Sequence, residues 1–225
     1  MKTALITGAN KGLGLEFVRQ LKAEGYFIIG CCRNPAQASE LNKIADEVVK
    51  LDVTKDDDIT SLQKMLNNRP IDLLINNAGI SGEKGVTVGN VNRENFLDVL
   101  NVNCVSVVKL SDALLSNIKA STEKTILVIS SKMGSISDNT SGRSFAYRAS
   151  KTALNSAMRS FAVDVKELGV HVMLIHPGWV KTDMGGPDAL IDAPTSVTGI
   201  LNVRKNSRYQ NAEQLVQFDG QIIEW

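Results

Sequence analysis

Short apolar runs recur along the chain, separated by longer stretches whose apolar residues return at helical spacing. The runs are 3–7 (TALIT), 26–32 (YFIIGCC), 47–51 (EVVKL), 71–75 (IDLLI), 125–130 (TILVIS) and 170–176 (VHVMLIH). Each has strand length and most are rich in Val, Ile and Leu. Unbroken apolar character predicts strands covered on both faces, as in a parallel sheet sandwiched by helices. A last strand signal spans 217–225 and is broken by Gly220.

Between the runs the spacing predicts helices over 13–24, 54–67, 92–119, 145–168 and, more briefly, 196–204. Thr54 followed three residues later by Asp57 resembles a capping box with Asp in place of Glu. The 92–119 stretch carries apolar stripes through Phe96, Leu97, Leu100, Val107, Val108 and Leu114, and Gly169 is placed to close the 145–168 helix. Repeated strand–helix–strand units imply one α/β domain with right-handed crossovers. In such sheets ligands bind beyond the carboxyl ends of the strands, so the residues after each apolar run are the ones to inspect.

Composition narrows the classes. A length of 225 residues suits one α/β domain, and 43% hydrophobic with 22% charged residues excludes disordered, collagenous and coiled-coil chains. The net charge of +1 gives no overall attraction to nucleic acid or an anionic membrane. The three cysteines, Cys31, Cys32 and Cys104, form no C-x-x-C pair, so neither a disulfide framework nor a metal site is expected. The N-terminus lacks a secretory apolar stretch and no apolar run reaches about 18 residues; a cytoplasmic protein is expected.

The first run ends in Thr7-Gly8-Ala9-Asn10-Lys11-Gly12-Leu13-Gly14. Strand, glycine turn and helix in succession is the setting of a dinucleotide site. Gly8 permits the turn, Gly12 lets backbone N–H groups approach a pyrophosphate, Gly14 allows close helix packing, and the helix N-terminus attracts phosphate. A plain strand-to-helix turn uses glycine in the same way. After the second run an NAD-selective site would carry an acidic residue, yet Cys32 and Arg33 stand there and the next carboxylate is Glu40. Arg33 suits a 2′-phosphate, with Lys11 as a second cation, so NADP(H) is the expected dinucleotide; the alternative for each is a solvated loop charge. After the fourth run, Asn77, Ala78 and Gly79 are small enough for a ribose and nicotinamide to lie against the backbone.

Tyr147-Arg148-Ala149-Ser150-Lys151 places a phenol and an ammonium on one helix face. An ammonium beside a phenol favours phenolate, which would tune Tyr147 to give a proton to a carbonyl oxygen. Tyr and Lys are common helix residues, so the pair gains weight from its place after the fifth run. Ser131, at the end of that run, is positioned to bond a substrate oxygen, while Ser130 points to the other face. Serine-nucleophile chemistry needs a base, but G-x-S-x-G is absent and His171 and His176 read as structural.

These motifs resemble the short-chain dehydrogenases/reductases. TGANKGLG matches that family's TGxxxGxG cofactor loop, and NNAG, Y-x-x-x-K and PGWVKT follow in family order across residues 3–183. The resemblance implies a Rossmann-like doubly wound domain with a mostly parallel seven-stranded sheet in the order 3-2-1-4-5-6-7. It implies a catalytic set of Asn103, Ser131, Tyr147 and Lys151, with Asn101 a rival for the Asn role. Asn103 would help hold a water in a proton relay, and Lys151 would also bond the nicotinamide ribose. Asp52, with Val53 beside it, would meet the adenine, although a loop carboxylate before Thr54 fits the residue equally. Pro177, Gly178, Val180 and Thr182 would meet the nicotinamide.

SSKMGSISDN, AYRASK and PGWVKTDMGG are similar to the C-factor and Sniffer-type carbonyl reductases. Ser131 and Tyr147 are 16 residues apart, a few more than is usual for the family, so a longer loop covers the site. The resemblance implies an NADPH-dependent reductase of aldehydes or ketones. Its rival is a non-catalytic NADP(H)-binding signalling protein, because C-factor-like relatives are linked to intercellular signalling. Residues 184–204 are expected to form a substrate flap and short helix, with Met133, Trp179 and Met184 as apolar wall residues; core packing is the alternative for Met133. The helices over 92–119 and 145–168 resemble those of family dimers or tetramers, although Val107 and Phe161 fit a core role as well.

Overall fold

The apolar runs become the strands of one sheet. In the computed structural model, which describes residues 1–206 and 211–225, the strands are β1 Thr3–Thr7, β2 Phe27–Cys32, β3 Glu47–Lys50, β4 Leu73–Asn76, β5 Thr125–Ile129, β6 His171–His176, β7 Leu215–Gln217 and β8 Ile222–Ile223. Their order is β3-β2-β1-β4-β5-β6-β7-β8. Every neighbouring pair is parallel except β7 with β8. The seven-stranded order expected from the motifs is therefore present, with one short antiparallel strand added. The 217–225 signal resolves into a hairpin: β7 starts at Leu215, Gly220 takes the turn with φ +90°, and β8 returns.

Strand residues alternate between two cores because successive side chains leave opposite faces of a sheet. Ala4 and Ile6 pack with Phe17 of α1 (Gly12–Ala23), Leu41 of α2 (Ser39–Ile44) and Val197 of α8 (Ala193–Arg204). Leu5 faces the other way, into a core shared with Leu62 of α3 (Asp56–Leu66), Leu110 of α5 (Ser106–Ala113) and Leu154 of α7 (Phe145–Val165). Val107 belongs to this second core and Phe161 packs against it. Both faces are covered, which explains why β1 is apolar at consecutive positions.

Four helices differ from their sequence patterns. The 92–119 stretch is broken into α4 Arg93–Leu100, a π-helical turn Asn101–Val105, α5, and α6 Leu115–Lys119. The 145–168 helix tightens into a 3₁₀ turn at Lys166–Leu168 before Gly169 ends it at φ +71°. Thr54 does not cap α3. Its hydroxyl and backbone N–H both donate to Asp52 Oδ1, at 2.7 and 3.0 Å, and the helix starts after Lys55 without a side-chain cap. The nearby ionised carboxylate is the stronger acceptor for that hydroxyl, and Asp56, Asp57 and Asp58 complement the helix dipole instead. Helix α8 begins at Ala193, earlier than expected, because Asp192 accepts from Thr195 N at 2.9 Å and a proline occupies the first turn. Among the described residues no helix is long and apolar enough to cross a membrane.

The chain runs from β1 outward through β2 to β3, then returns to place β4 on the other side of β1. Directions of winding diverge at that point, so the turns after β1 and β4 open a crevice between them. Helix α1 can rise from this crevice only because Gly14 has no side chain. A Cβ there would sit 2.1 Å from Gly8 O and 2.7 Å from Asn77 Nδ2. Gly14→Ala is therefore expected to force the two turns apart and cost about 2 kcal/mol or more. At roughly 2–4 °C per kcal/mol for a chain of this size, the melting temperature should fall by about 5 °C. Thermal unfolding followed by circular dichroism checks this, and an unchanged midpoint contradicts it.

Candidate active site

The crevice floor is made by two strand ends tied together. Thr7 Oγ1 accepts from Asn77 N and Ala78 N, both at 3.0 Å. Asn77 Nδ2 returns bonds to Thr7 O at 2.9 Å and Gly8 O at 3.3 Å. Gly8, at φ +63°, lies so close that a Cβ would approach Ala78 Cα to 3.1 Å. Lys11 is the N-cap residue of α1 but supplies no side-chain cap, and no acidic residue stands in the first turn. The first-turn N–H groups of α1 thus lack side-chain acceptors where the helix dipole is positive, an arrangement suited to phosphate.

A cleft of about 620 Å³ runs from this turn to the start of α7. Of the residues proposed from sequence, Gly8, Asn10, Lys11, Gly12, Leu13, Arg33, Asp52, Val53, Asn77, Ala78, Gly79, Tyr147, Lys151, Pro177 and Thr182 line it. Gly14 stands behind the turn. Val180 is buried and bridges to Ile191, and Gly178 packs closely against Ile191 and Phe218, so neither lines the cleft. Cys32, Ile80, Ser81, Val102, Asp183 and Met184 line it without having been singled out as cofactor contacts. Their signal in the sequence was only adjacency to a motif.

The charges in the cleft are unequal. Arg33 is exposed at the end of β2. Burial raises the Asp52 carboxyl, but its bonds from Thr54 and the nearby Arg33 charge outweigh that and hold it below the usual range. Lys11 is not a free cation. It pairs with Asp183 at 2.7 Å, across 172 positions of sequence, with both side chains largely exposed. Glu40 pairs with Lys43 at 2.8 Å and takes no part in the cleft.

At the other end stand the phenol and the ammonium. Lys151 Nζ lies 5.9 Å from the centre of the Tyr147 ring and donates to Ile129 O at 2.9 Å. Lys151 is buried, which brings it down to about 8, with only a small opposing effect from Cys104. Burial pushes the Tyr147 phenol up, and a hydrogen bond with Ser131 acts in the opposite direction. The expectation that Lys151 makes this phenol more acidic is not met here. The ammonium is engaged with the Ile129 carbonyl, so desolvation decides the phenol's acidity.

Ser131 is buried at the carboxyl end of β5, where its Oγ accepts from Met133 N at 3.1 Å and caps the 3₁₀ turn Lys132–Gly134. Ser130 is turned the other way and donates to Asn155 Oδ1 at 2.6 Å. The π-helical turn buries Asn103 while leaving Asn101 exposed. Asn103 Oδ1 accepts from Ile80 N at 2.9 Å, and its Nδ2 donates to Ile80 O at 2.8 Å and Ser150 Oγ at 3.0 Å. Ser150 in turn donates to Tyr147 O at 2.8 Å. The Asn103 amide therefore links the loop after β4 to the first turn of α7, and both its N–H donors are engaged.

Neither serine is hydrogen-bonded to a histidine, since Ser130 Oγ donates to Asn155 and Ser131 Oγ accepts from Met133 N. His176 is brought down to about 4 by burial and the Lys132 charge, and His171 is lowered by burial and Lys124. Around residues 179–191, Trp179 Nε1 donates to Gly185 O at 2.8 Å, and Trp179 O accepts from Leu190 N and Ile191 N. Met184 faces the cleft, Trp179 is half-exposed, and Met133 is half-buried and off the cleft.

The model of a family described as short chain dehydrogenase matches residues 2–189. The chain is similar to C-signal of Myxococcus xanthus, 37% identical over 156 residues that span 69% of this chain and 93% of that protein. Among solved structures, carbonyl reductase Sniffer of D. melanogaster superposes with a TM-score of 0.90 at 32% identity, over 100% of both chains. An NADPH-bound carbonyl reductase from chicken fatty liver does so with a TM-score of 0.90 at 32% identity, over 100% of this chain and 99% of that one.

The buried ammonium has a consequence for stability. Lys151 is near 8 in the folded state and at the ordinary lysine value of 10.5 when unfolded. Below about pH 8 both states carry the proton, and the cost of burying the charge is fully present. Between about 8 and 10.5 the folded state releases its proton first, so this group's contribution to stability rises with pH. Lys151→Met removes the buried charge and loses one hydrogen bond, worth about 1 kcal/mol. The variant should melt above the wild type at pH 7, with the gap narrowing by pH 10. Paired thermal melts at the two pH values measure this; a gap that widens with pH has the wrong sign.

Proposed function

The chain belongs to the short chain dehydrogenase family, and from that membership we propose that it reduces aldehyde or ketone carbonyls with NADPH, using Tyr147 as the general acid. The observation that carries the reading is the meeting of Tyr147 and Lys151 with the glycine turn at one cleft, with Ser131 buried off the cleft at the end of the strand whose Ile129 carbonyl holds Lys151. The cleft fits a dinucleotide. Its floor is a turn that a side chain at Gly8 or Gly14 would obstruct, and α1 presents its first-turn N–H groups without a side-chain cap. Gly8, Asn10, Gly12 and Leu13 would hold the pyrophosphate, Arg33 the 2′-phosphate, Asp52 and Val53 the adenine side, and Ala78, Gly79, Lys151 and Thr182 the nicotinamide side. Bound there, the reduced nicotinamide supplies the hydride for the carbonyl carbon.

The chain's own residues handle the proton. Burial keeps the Tyr147 phenol protonated at neutral pH, so it is in the form needed to donate to the carbonyl oxygen. Ser131, whose hydroxyl acts on that phenol, would orient the same substrate oxygen. Asn103 acts by position: it fixes Ile80 beside the cleft and, through Ser150, the backbone of Tyr147. The flap and helix over 184–204 belong to this one domain and border the substrate end through Met184. Exposed Leu97, Val105 and Val163 support assembly of two or more copies through the helices that carry them.

The relative named C-signal favours a second reading, an NADP(H)-binding regulator without turnover. A regulator has no need of a phenol, hydroxyl and ammonium gathered in one place, and that gathering supports catalysis. Two variants test the assignment. Tyr147→Phe should retain NADPH affinity within about threefold and lose about 10²–10⁴ in kcat, measured by NADPH oxidation with a carbonyl panel. Turnover near wild type in that variant would remove the acid. Arg33→Asp deletes a charge-assisted bond worth about 1.5–3 kcal/mol, so the NADPH Kd should rise about 10–100-fold while NADH binding improves or holds. Tighter binding of NADH than NADPH by the wild-type protein would contradict the cofactor choice.

A further inference from the structure

Tyr147 stands in the first turn of α7, and that turn is poorly secured by its own sequence. Ser144, the N-cap residue, makes no side-chain cap bond, and the first turn has no acidic residue. The chain enters the helix through two successive non-glycine residues in the left-handed region, Arg143 at φ +57° and Ser144 at φ +49°. Such a conformation persists only where surrounding contacts impose it. The contacts here come from Arg148. Its Nε donates to Gly142 O at 3.1 Å, one guanidinium nitrogen donates to Ser141 Oγ at 2.9 Å, and the other reaches Met133 O at 3.5 Å. One side chain thus joins the start of the loop after β5 to its end. One helical turn on, Thr152 Oγ1 donates to Gly134 O at 2.8 Å, and Gly134 lies against the Lys151 backbone so closely that a Cβ would come within 2.8 Å.

We propose that Arg148 is a positioning residue of the active site, a staple across the neck of loop 133–142 that holds the first turn of α7 and thereby sets Tyr147 against Ser131. Both Tyr147 and Ser131 depend on this neck. Ser131 is fixed through Met133, whose backbone N–H it accepts and whose carbonyl Arg148 reaches. Tyr147 is fixed through the entry residues that Gly142 and Ser141 precede. Arg148 does not line the cleft, so it acts through the two catalytic groups and makes no contact with the cofactor site. The planar guanidinium suits three acceptors at once, whereas a lysine ammonium on a flexible stem holds fewer of them in fixed directions.

The catalytic part of this inference rests on the carbonyl reductase reading, so its test has one arm that needs no turnover. Full-length wild type, Arg148→Ala and Arg148→Lys are compared by hydrogen exchange and by kinetics with 4-nitrobenzaldehyde as the probe carbonyl. In Arg148→Ala the amides of residues 145–149 should exchange at least tenfold faster, while those of β1 and α1 are unchanged. The kcat should fall about 10–100-fold, as expected when a catalytic group is misplaced by about 1 Å. KM should change less than kcat, and the NADPH Kd should stay within about twofold. Arg148→Lys should recover part of the kcat. Unchanged exchange over residues 145–149 overturns the staple whatever the activity. Wild-type kcat in Arg148→Ala, or a loss of NADPH binding equal to the loss of kcat, overturns the positioning role. Failure of the wild type to oxidise NADPH with any carbonyl defeats the functional reading alone, since the exchange arm still decides the staple.

Discussion

The architecture of the site depends on the close approach of two turns at the switch point between β1 and β4. Gly8, Gly14, Thr7 and Asn77 meet there with no room for another carbon atom. The contact brings the glycine turn beside Ala78 and Gly79, which is what makes one continuous cleft from two separate strand ends. It also sets the direction of α1, whose first-turn N–H groups must face the cleft to be useful. Backbone groups that would otherwise be unpaired are satisfied by Thr7 Oγ1 and the Asn77 amide, so the two turns behave as one rigid unit.

The second unit is held by a different kind of interaction. Around Tyr147 the neighbours are buried polar groups with matched partners: Ser131, Asn103, Ser150 and the Lys151 ammonium on Ile129 O. Burying Lys151 is costly, and the lowered pKa of its ammonium, about 8, records that cost. An apolar residue at position 151 would remove that cost. A charge kept where it disfavours folding, beside a phenol kept protonated, is the pattern of a site that trades stability for chemistry. The π-helical turn at Asn101–Val105 serves the same end, because it interrupts a long surface helix to bury Asn103 beside the loop after β4.

Much of the fold was legible in the sequence because its signals are local. A strand covered on both faces must be apolar at consecutive positions; all six runs are strands with ends within two residues of the pattern, and only edge strand β3, which carries Glu47 and Lys50, is left partly exposed throughout. The glycine turn and the Tyr147–Lys151 spacing were legible for the same reason, since each sits within one turn or one helical repeat. Less legible was whatever depends on competition. Thr54 has the residue type of a helix cap, yet Asp52 binds its hydroxyl. The six-residue α2 has one buried apolar side chain, Leu41, and so carries no periodic signal.

The chain's own order of residues determined the α/β class, the place of the cleft at the strand ends, and the chemical groups available to it, because period, turn chemistry and residue type all act within a few positions. Tertiary structure decided which of those groups meet and in what state. It paired Lys11 with Asp183 across 172 positions, pointed the Lys151 ammonium at a strand carbonyl, and raised the phenol it was expected to acidify. Ion pairing and desolvation depend on distances through space and on exclusion of water, and neither quantity is written in the spacing of residues along a chain.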